Sequence, residues 1–131
     1  MSISQEDLGT KESVWQIVAD ILGKYCELPV YPPATHNGEC TSPYIVLKKD
    51  GGARVPSYSS QFQYYRIMIY VPRNQYSKLD DYQKRVKKVL KENIFPLLLP
   101  TGQEESDYYD DNYKAHMRAM LYRNVCRDNL L

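Results

Sequence analysis

From Val14 onward the apolar residues recur at helical spacing: Val14, Ile17, Val18, Ile21, Leu22 and Tyr25. This spacing predicts an amphipathic helix over residues 12–26, which Pro29 stops. The polar residues 1–11 before it read as a mobile arm. A turn-rich stretch follows over residues 29–43, with Pro29, Pro32, Pro33, Pro43 and the run His36-Asn37-Gly38. Tyr44 to Lys49 is short and β-branched, and predicts a strand entering a turn at Asp50-Gly51-Gly52. After a polar loop comes the strongest strand pattern, Gln61 to Val71. Its alternation puts Tyr65, Ile67, Ile69 and Val71 on a core face and Tyr64, Arg66, Met68 and Tyr70 on the other.

Ser77, with Asp80 three residues later, has the spacing of a capping box for a second helix. Leu79, Tyr82, Val86, Val89, Leu90 and Asn93 trace its stripe, buried from Leu79 to Leu90. Asp80 and Asp81 suit its positive end and Lys91 its negative end. Asp80–Lys84 and Asp81–Arg85 have the spacing of ion pairs one turn apart. Residues 100–112 read as a loop with five acidic side chains and no basic one. Tyr113 to Val125 is ambiguous: its composition favours helix, its alternation favours strand, and the residues leave both open. The whole is one α+β domain over residues 1–131.

Composition then narrows the function. Seventeen basic against sixteen acidic residues leave a formal charge of +1, without the basic excess a dedicated nucleic-acid binder uses on phosphates. No apolar run approaches a bilayer span, and the N-terminus lacks a signal-peptide pattern; the expectation is a cytosolic protein that meets no membrane. The three cysteines, Cys26, Cys40 and Cys126, form no paired spacing and are expected reduced. His36 and Cys40, with Cys26, fall short of the four well-spaced ligands of structural zinc. We expect no metal and no cofactor. Phosphate loops, HExxH and GxSxG are missing, and no catalytic residue is assigned. A thiol paired with His36 or His116 is the one nucleophile arrangement left open.

Thirteen tyrosines, against one tryptophan and two phenylalanines, suit half-buried strand faces and protein interfaces. The basic stripe Lys84, Arg85, Lys87, Lys88 and Lys91 reads as a solvated helix face, a phosphate track, or a partner for an acidic surface. Glu104, Glu105, Asp107, Asp110 and Asp111 of a neighbouring copy would supply that surface. Opposite patches on one chain suit head-to-tail contacts. These ten residues, with Tyr64, Arg66 and Tyr70, are the candidate subunit interface.

The succession of a helix, a Pro-rich passage, SPYIVLKKDGG, QFQYYRIMIYVP, SKLDDYQKRVKKVLKENI, an acidic loop and YKAHMRAMLYR resembles the tail-terminator and tail-completion proteins of long-tailed bacteriophages and prophages. The likeness lies in length, element order and patterning, with no signature motif. It implies an αβββαβ order, a mostly antiparallel sheet packed against two helices, and a strand for the last segment. It also implies a non-enzymatic virion protein, assembled in the bacterial cytoplasm as a hexameric ring at the head-proximal end of the tail tube. Its partners would be its own copies, the tail tube protein, a head connector or stopper, and DNA passing non-specifically through the channel. The competing readings are another neck component and a small nucleic-acid-binding accessory protein using the helix at 78–92.

Overall fold

The computed structural model describes residues 13–35, 38–54 and 60–127. The elements run α1 (Val14–Cys26), β1 (Val30–Tyr31), β2 (Tyr44–Arg54), β3 (Ser60–Pro72), a 3-10 segment (Arg73–Lys78), α2 (Leu79–Asn93), β4 (Leu99–Glu104), β5 (Tyr108–Asp110) and β6 (Ala115–Arg127). The strands form one sheet in the order β1-β2-β3-β6-β4, with β5 also pairing β6. Among the described strands only β1 and β2 pair parallel. The expected class and order hold: two helices on a mostly antiparallel sheet, αβββαβ, with β4 and β5 added before the last strand. The expected arm over 1–11 and His36 lie outside the described residues.

Each helix forms where its apolar stripe meets the sheet. Ser13 accepts from the Gln16 amide at 3.1 Å and so caps α1. Ile17, Val18, Leu22 and Cys26 of α1 and Leu79, Val86, Val89 and Leu90 of α2 are buried against Ile45, Leu47, Tyr65, Ile67, Ile69, Val71, Met120 and Tyr122. The core face expected of β3 is therefore correct. Tyr25, at the edge of the α1 stripe, is exposed instead.

Several local expectations are corrected. Ser77 does not cap α2: the chain reaches the helix through the 3-10 segment, Lys78 holds the cap position, and no side-chain cap bond forms. Tertiary partners displace both expected ion pairs along α2. Asp80 lies 2.5 Å from Arg118, and Arg85 donates to the Cys26 carbonyl at 3.3 Å while lying over the Tyr82 ring. Asp50-Gly51-Gly52 does not turn the chain; it makes a bulge inside β2. Gly51 has φ +79°, and a Cβ on Gly52 would come 2.3 Å from the Phe62 carbonyl oxygen, so the run needs both glycines.

The acidic stretch is not a loop. It contributes β4 and β5, two short pieces one after the other along the same edge of β6. Thr101-Gly102-Gln103 bulge out between the paired residues Pro100 and Glu104, and the Thr101 hydroxyl donates to the Leu121 carbonyl at 2.8 Å. The ambiguous last segment is strand β6, paired with β3 over the full length of both. Its alternation outweighed its helical composition because neighbours flank it on both sides.

Candidate assembly surface

Register fixes what each face of the sheet carries. Ile67 lies opposite Met120 and Tyr65 opposite Tyr122 on the helix side. Tyr64 opposite Arg123, Arg66 opposite Leu121, Met68 opposite Ala119 and Tyr70 opposite Met117 make up the other side. No helical residue joins the cluster on that second face, which consists of Cys40, Tyr44, Val46 and Ala115 with Tyr31, Met68, Tyr70 and Tyr113 packed around it. That cluster covers one end only. The remainder of the face is a row of half-buried Phe62, Tyr64, Arg66, Met68, Met117, Leu121 and Arg123 with no layer above it among the described residues.

The three strand residues expected at an interface all lie on this face. Tyr70 stacks on Tyr44 with ring centroids 5.0 Å apart and meets Tyr113 edge-on at 6.2 Å. Burial raises its phenol pKa, with Asp110 adding to the effect. Arg66 is held from both sides, by Asp50 at 2.7 Å and by Glu105 in close contact, which ties the bulged β2 to the stretch between β4 and β5. Tyr64 is half-buried beside Arg123.

The acidic and basic patches expected to meet between copies partly meet within one chain. Lys87 donates to Glu104 at 2.6 Å, holding its carboxyl below the usual range. Asp107 receives a fork from Arg118, both contacts at 2.8 Å, and the Tyr76 hydroxyl at 2.5 Å. Asp110 accepts from the Asn112 and Tyr113 amides. What remains outward is Lys84, Lys88 and Lys91 on the helix layer and Asp111 beside Asp110 at the β5–β6 turn, exposed and without an ion pair among the described residues. The helix layer and the turn lie on opposite sides of the sheet.

Three features had no clear signal in the sequence. The first is a clasp at the start of α2, where Arg118 also reaches Asp80 at 2.5 Å and Gln83 at 3.1 Å while His116 sits between the Tyr76 and Tyr109 rings. The second is an apolar cleft of about 440 Å³ between α2 and β4, lined by Leu90, Phe95, Leu98, Pro100, Met120 and Tyr122 with Lys87, Lys91 and Glu104 at its rim. The third is Arg123, whose guanidinium lies 4.8 Å from the Phe62 ring centroid. Only the β6 alternation could have pointed to Arg118 and Arg123, and only once strand was chosen over helix.

Cys26 and Cys40 are buried and unbonded to each other. Cys26 sits in the helix-side core and Cys40 in the cluster beyond the sheet, so they cannot share an ion. Burial pushes the Cys26 thiol up to about 11. No group of three or more His, Cys, Asp or Glu suited to a metal occurs among the described residues. Among them, no helix is long and apolar enough to cross a membrane. No protein-family model matches the chain, and neither does any curated protein.

Proposed function

We propose that this chain is a structural subunit, not an enzyme, that acts by assembly as a tail-terminator-like protein. In this reading its copies close the head-proximal end of a phage tail tube as a ring, six-fold in the family it resembles, and present the surface that a head connector or stopper meets. The observation that carries the reading is the uncovered sheet face. An antiparallel sheet can leave one face to water, but such a face is normally polar. Here it holds Tyr64, Met68, Met117, Leu121 and two arginines, a composition typical of interface cores. The outward lysines lie on the opposite layer, and two different surfaces are what a closed head-to-tail ring requires.

Negative-stain images of the purified full-length chain, alone and mixed with tail tubes, test the proposal. Rings or capped tube ends are the expected outcome; a monomer that leaves tubes growing sinks it. Reversing Lys84, Lys88 and Lys91 to Glu is expected to weaken capping, and changing Asp110 and Asp111 to Lys in the same chain to restore it in part. A second reading, nucleic-acid binding, draws on the same three unpaired lysines. It requires DNA affinity that collapses between low and high salt, whereas a ring held by apolar and aromatic contacts tolerates salt.

A further inference from the structure

The apolar cleft between α2 and β4 carries two polar groups that its own walls do not satisfy. Tyr122 lines it and is 4% exposed, yet its hydroxyl has no hydrogen-bond partner among the described residues, although a buried tyrosine normally finds one. That hydroxyl is not sealed in: among the described residues only Arg123 Nε is a sealed side-chain polar atom without a partner. Burial raises the Tyr122 pKa, and the Glu104 carboxylate adds to the effect, which sets the phenol near the Glu104 rim. Lys91, at the same rim, has no carboxylate, because Lys87 already holds Glu104. Phe95 at the mouth is 59% exposed. Such a site calls for an apolar side chain with a hydrogen-bond acceptor and negative charge close by.

We propose that Ile3 of the same chain occupies this cleft, with Glu6 and Asp7 crossing α2 over Lys88 and Lys91. The inference is independent of the ring reading. Position and reach select the segment. Trp15, at the start of α1, donates to the Leu47 carbonyl at 2.6 Å. Leu47 pairs with Ile67, and Ile67 with Met120, which lines the cleft. The start of α1 is therefore level with the cleft, two strand spacings or about 10 Å away in the sheet, with α2 between them. The way round the outer side of α2 is roughly 25 Å, for helices about 9 Å apart and about 10 Å across. Ile3 lies ten residues before Ser13 and covers that path, since ten extended residues span about 33 Å. Leu8, five before Ser13, reaches about 17 Å, only to the crest of α2. Lys88 lies on that crest and Lys91 about 60° round toward the cleft, so Glu6 and Asp7, between Leu8 and Ile3, pass above them. The backbone carbonyls beside Ile3 supply the acceptor for Tyr122. The other stretches outside the described residues fall short. His36-Asn37 carries no apolar side chain. Ser60 pairs with Arg127, five positions or about 17 Å beyond Tyr122. Leu130 and Leu131 reach back from there by at most about 13 Å, and the connection holding Val55 and Tyr58, tied at both ends, by less.

Disulfide trapping under mild oxidation tests this in the full chain with Cys126→Ser, which leaves the buried Cys26 and Cys40 as the native thiols. Ile3→Cys combined with Gln103→Cys at the cleft is expected to close within one chain at least about tenfold faster than Ile3→Cys with Asp20→Cys. Asp20 is an exposed position on α1, equally within reach but away from the cleft. Glu6→Lys with Asp7→Lys is expected to slow closure at least about fivefold, and Lys88→Glu with Lys91→Glu added to recover most of that. An anionic naphthalene dye, which needs an open apolar cleft, is expected to brighten severalfold more with Ile3→Asp than with the parent chain. Closure to Gln103→Cys no faster than to Asp20→Cys overturns the docking. Disulfide-linked dimers in place of closed monomers move the segment to a neighbouring copy and overturn the same-chain assignment. Equal dye brightening by the parent and by Ile3→Asp leaves the cleft to an outside partner and overturns the proposal. Closure indifferent to the charge reversals overturns the crossing over Lys88 and Lys91. None of these measurements involves tubes or rings, so the ring reading stands or falls separately.

Discussion

The two faces of the β2-β3-β6 sheet are built by the same strands and differ in what they leave unfinished. On the helix side Ile45, Leu47, Ile67, Ile69 and Val71 are fully buried, each beneath α1 or α2. On the other side Lys48, Arg66, Met68 and Tyr70 are half-buried or exposed while Tyr44 and Val46 are buried beneath the Cys40 segment, and Arg66 pairs with Asp50 and Glu105 from elsewhere in the chain. One face is closed by hydrophobic burial, which is non-directional and scales with area. The other has one small buried cluster at its Cys40–Tyr44–Ala115 end and elsewhere is held by ion pairs and stacked rings that fix side-chain positions. Folding is concentrated on the first face, which leaves the second as the surface proposed for association.

The largest effect that could break this comparison comes from placing one charge on either face at adjacent positions. Ile67→Asp is expected to cost on the order of 4 kcal/mol or more, because an unpaired carboxylate would sit beneath two helices. That is a large part of the stability of a domain this size, so the variant should be insoluble or unfolded. Met68→Asp, one residue along and facing the other way, is expected to cost roughly 1 kcal/mol and stay folded. Circular dichroism melts of the two decide it. A soluble Ile67→Asp protein with the parent melting temperature would mean that the faces are assigned the wrong way round.

A smaller contrast uses truncation. Leu90 is 1% exposed, and Leu90→Ala is expected to lose about 2–5 kcal/mol, the usual range for a buried leucine. Leu121→Ala on the uncovered face should lose less, about 1–2 kcal/mol as an isolated subunit, since Leu121 stays partly exposed. Urea unfolding gives both values. Equal losses would show that the second face is as much a folding core as the first.

How much of this was legible in the chain depends on the kind of signal. The α1 and α2 stripes and the Tyr65-Ile67-Ile69-Val71 face could be read because burial imposes a period that composition cannot hide. β4 and β5 could not. Leu99 to Glu104 contains Pro100, Gly102 and an acid, and Tyr108-Tyr109-Asp110 is too short to show alternation. They are strands because β6 offers them an edge, a tertiary cause with no local trace. The missed Ser77 cap and the displaced Asp80–Lys84 pair share that origin: Arg118, some 38 positions from Asp80, competes for the carboxylate. Of the uncovered face, Tyr64, Arg66 and Tyr70 followed from alternation, whereas Arg123 needed the pairing of β3 with β6.

The Arg118 clasp sharpens the comparison at the third level, because it joins the helix layer to the sheet through charge instead of burial. Arg118 forks onto Asp107, and this holds the Asp107 carboxyl below its ordinary range. The clasp therefore contributes its full stability above the ordinary aspartate pKa of about 3.9. The contribution falls away as the pH drops through the lowered folded value. Asp107→Asn is expected to cost about 1–2 kcal/mol at neutral pH and to flatten the acid limb of the stability curve. Chemical denaturation at pH 7 and at pH 3 measures it. A variant with the parent's acid dependence would mean that other carboxylates carry that limb.

The smallest effect belongs to Lys87 and Glu104, the pair at the rim of the α2–β4 cleft. Their geometry is good, at 2.6 Å, but both side chains are close to half exposed, 48% and 44%. Water and salt screen such a pair, and two flexible side chains lose entropy in holding one arrangement. A double-mutant cycle with Lys87→Ala and Glu104→Ala is therefore expected to give a coupling of roughly 0.2–1 kcal/mol, declining as salt is raised. The lowered Glu104 carboxyl agrees in direction, since the Lys87 hydrogen bond is its leading cause. A coupling above about 2 kcal/mol, insensitive to salt, would place the pair with the buried contacts and make the cleft rim part of the folding core. A weak, screened coupling leaves Leu90, Leu98, Met120 and Tyr122 as what holds α2 to the edge of the sheet, with the charges above them setting only how the cleft mouth meets solvent.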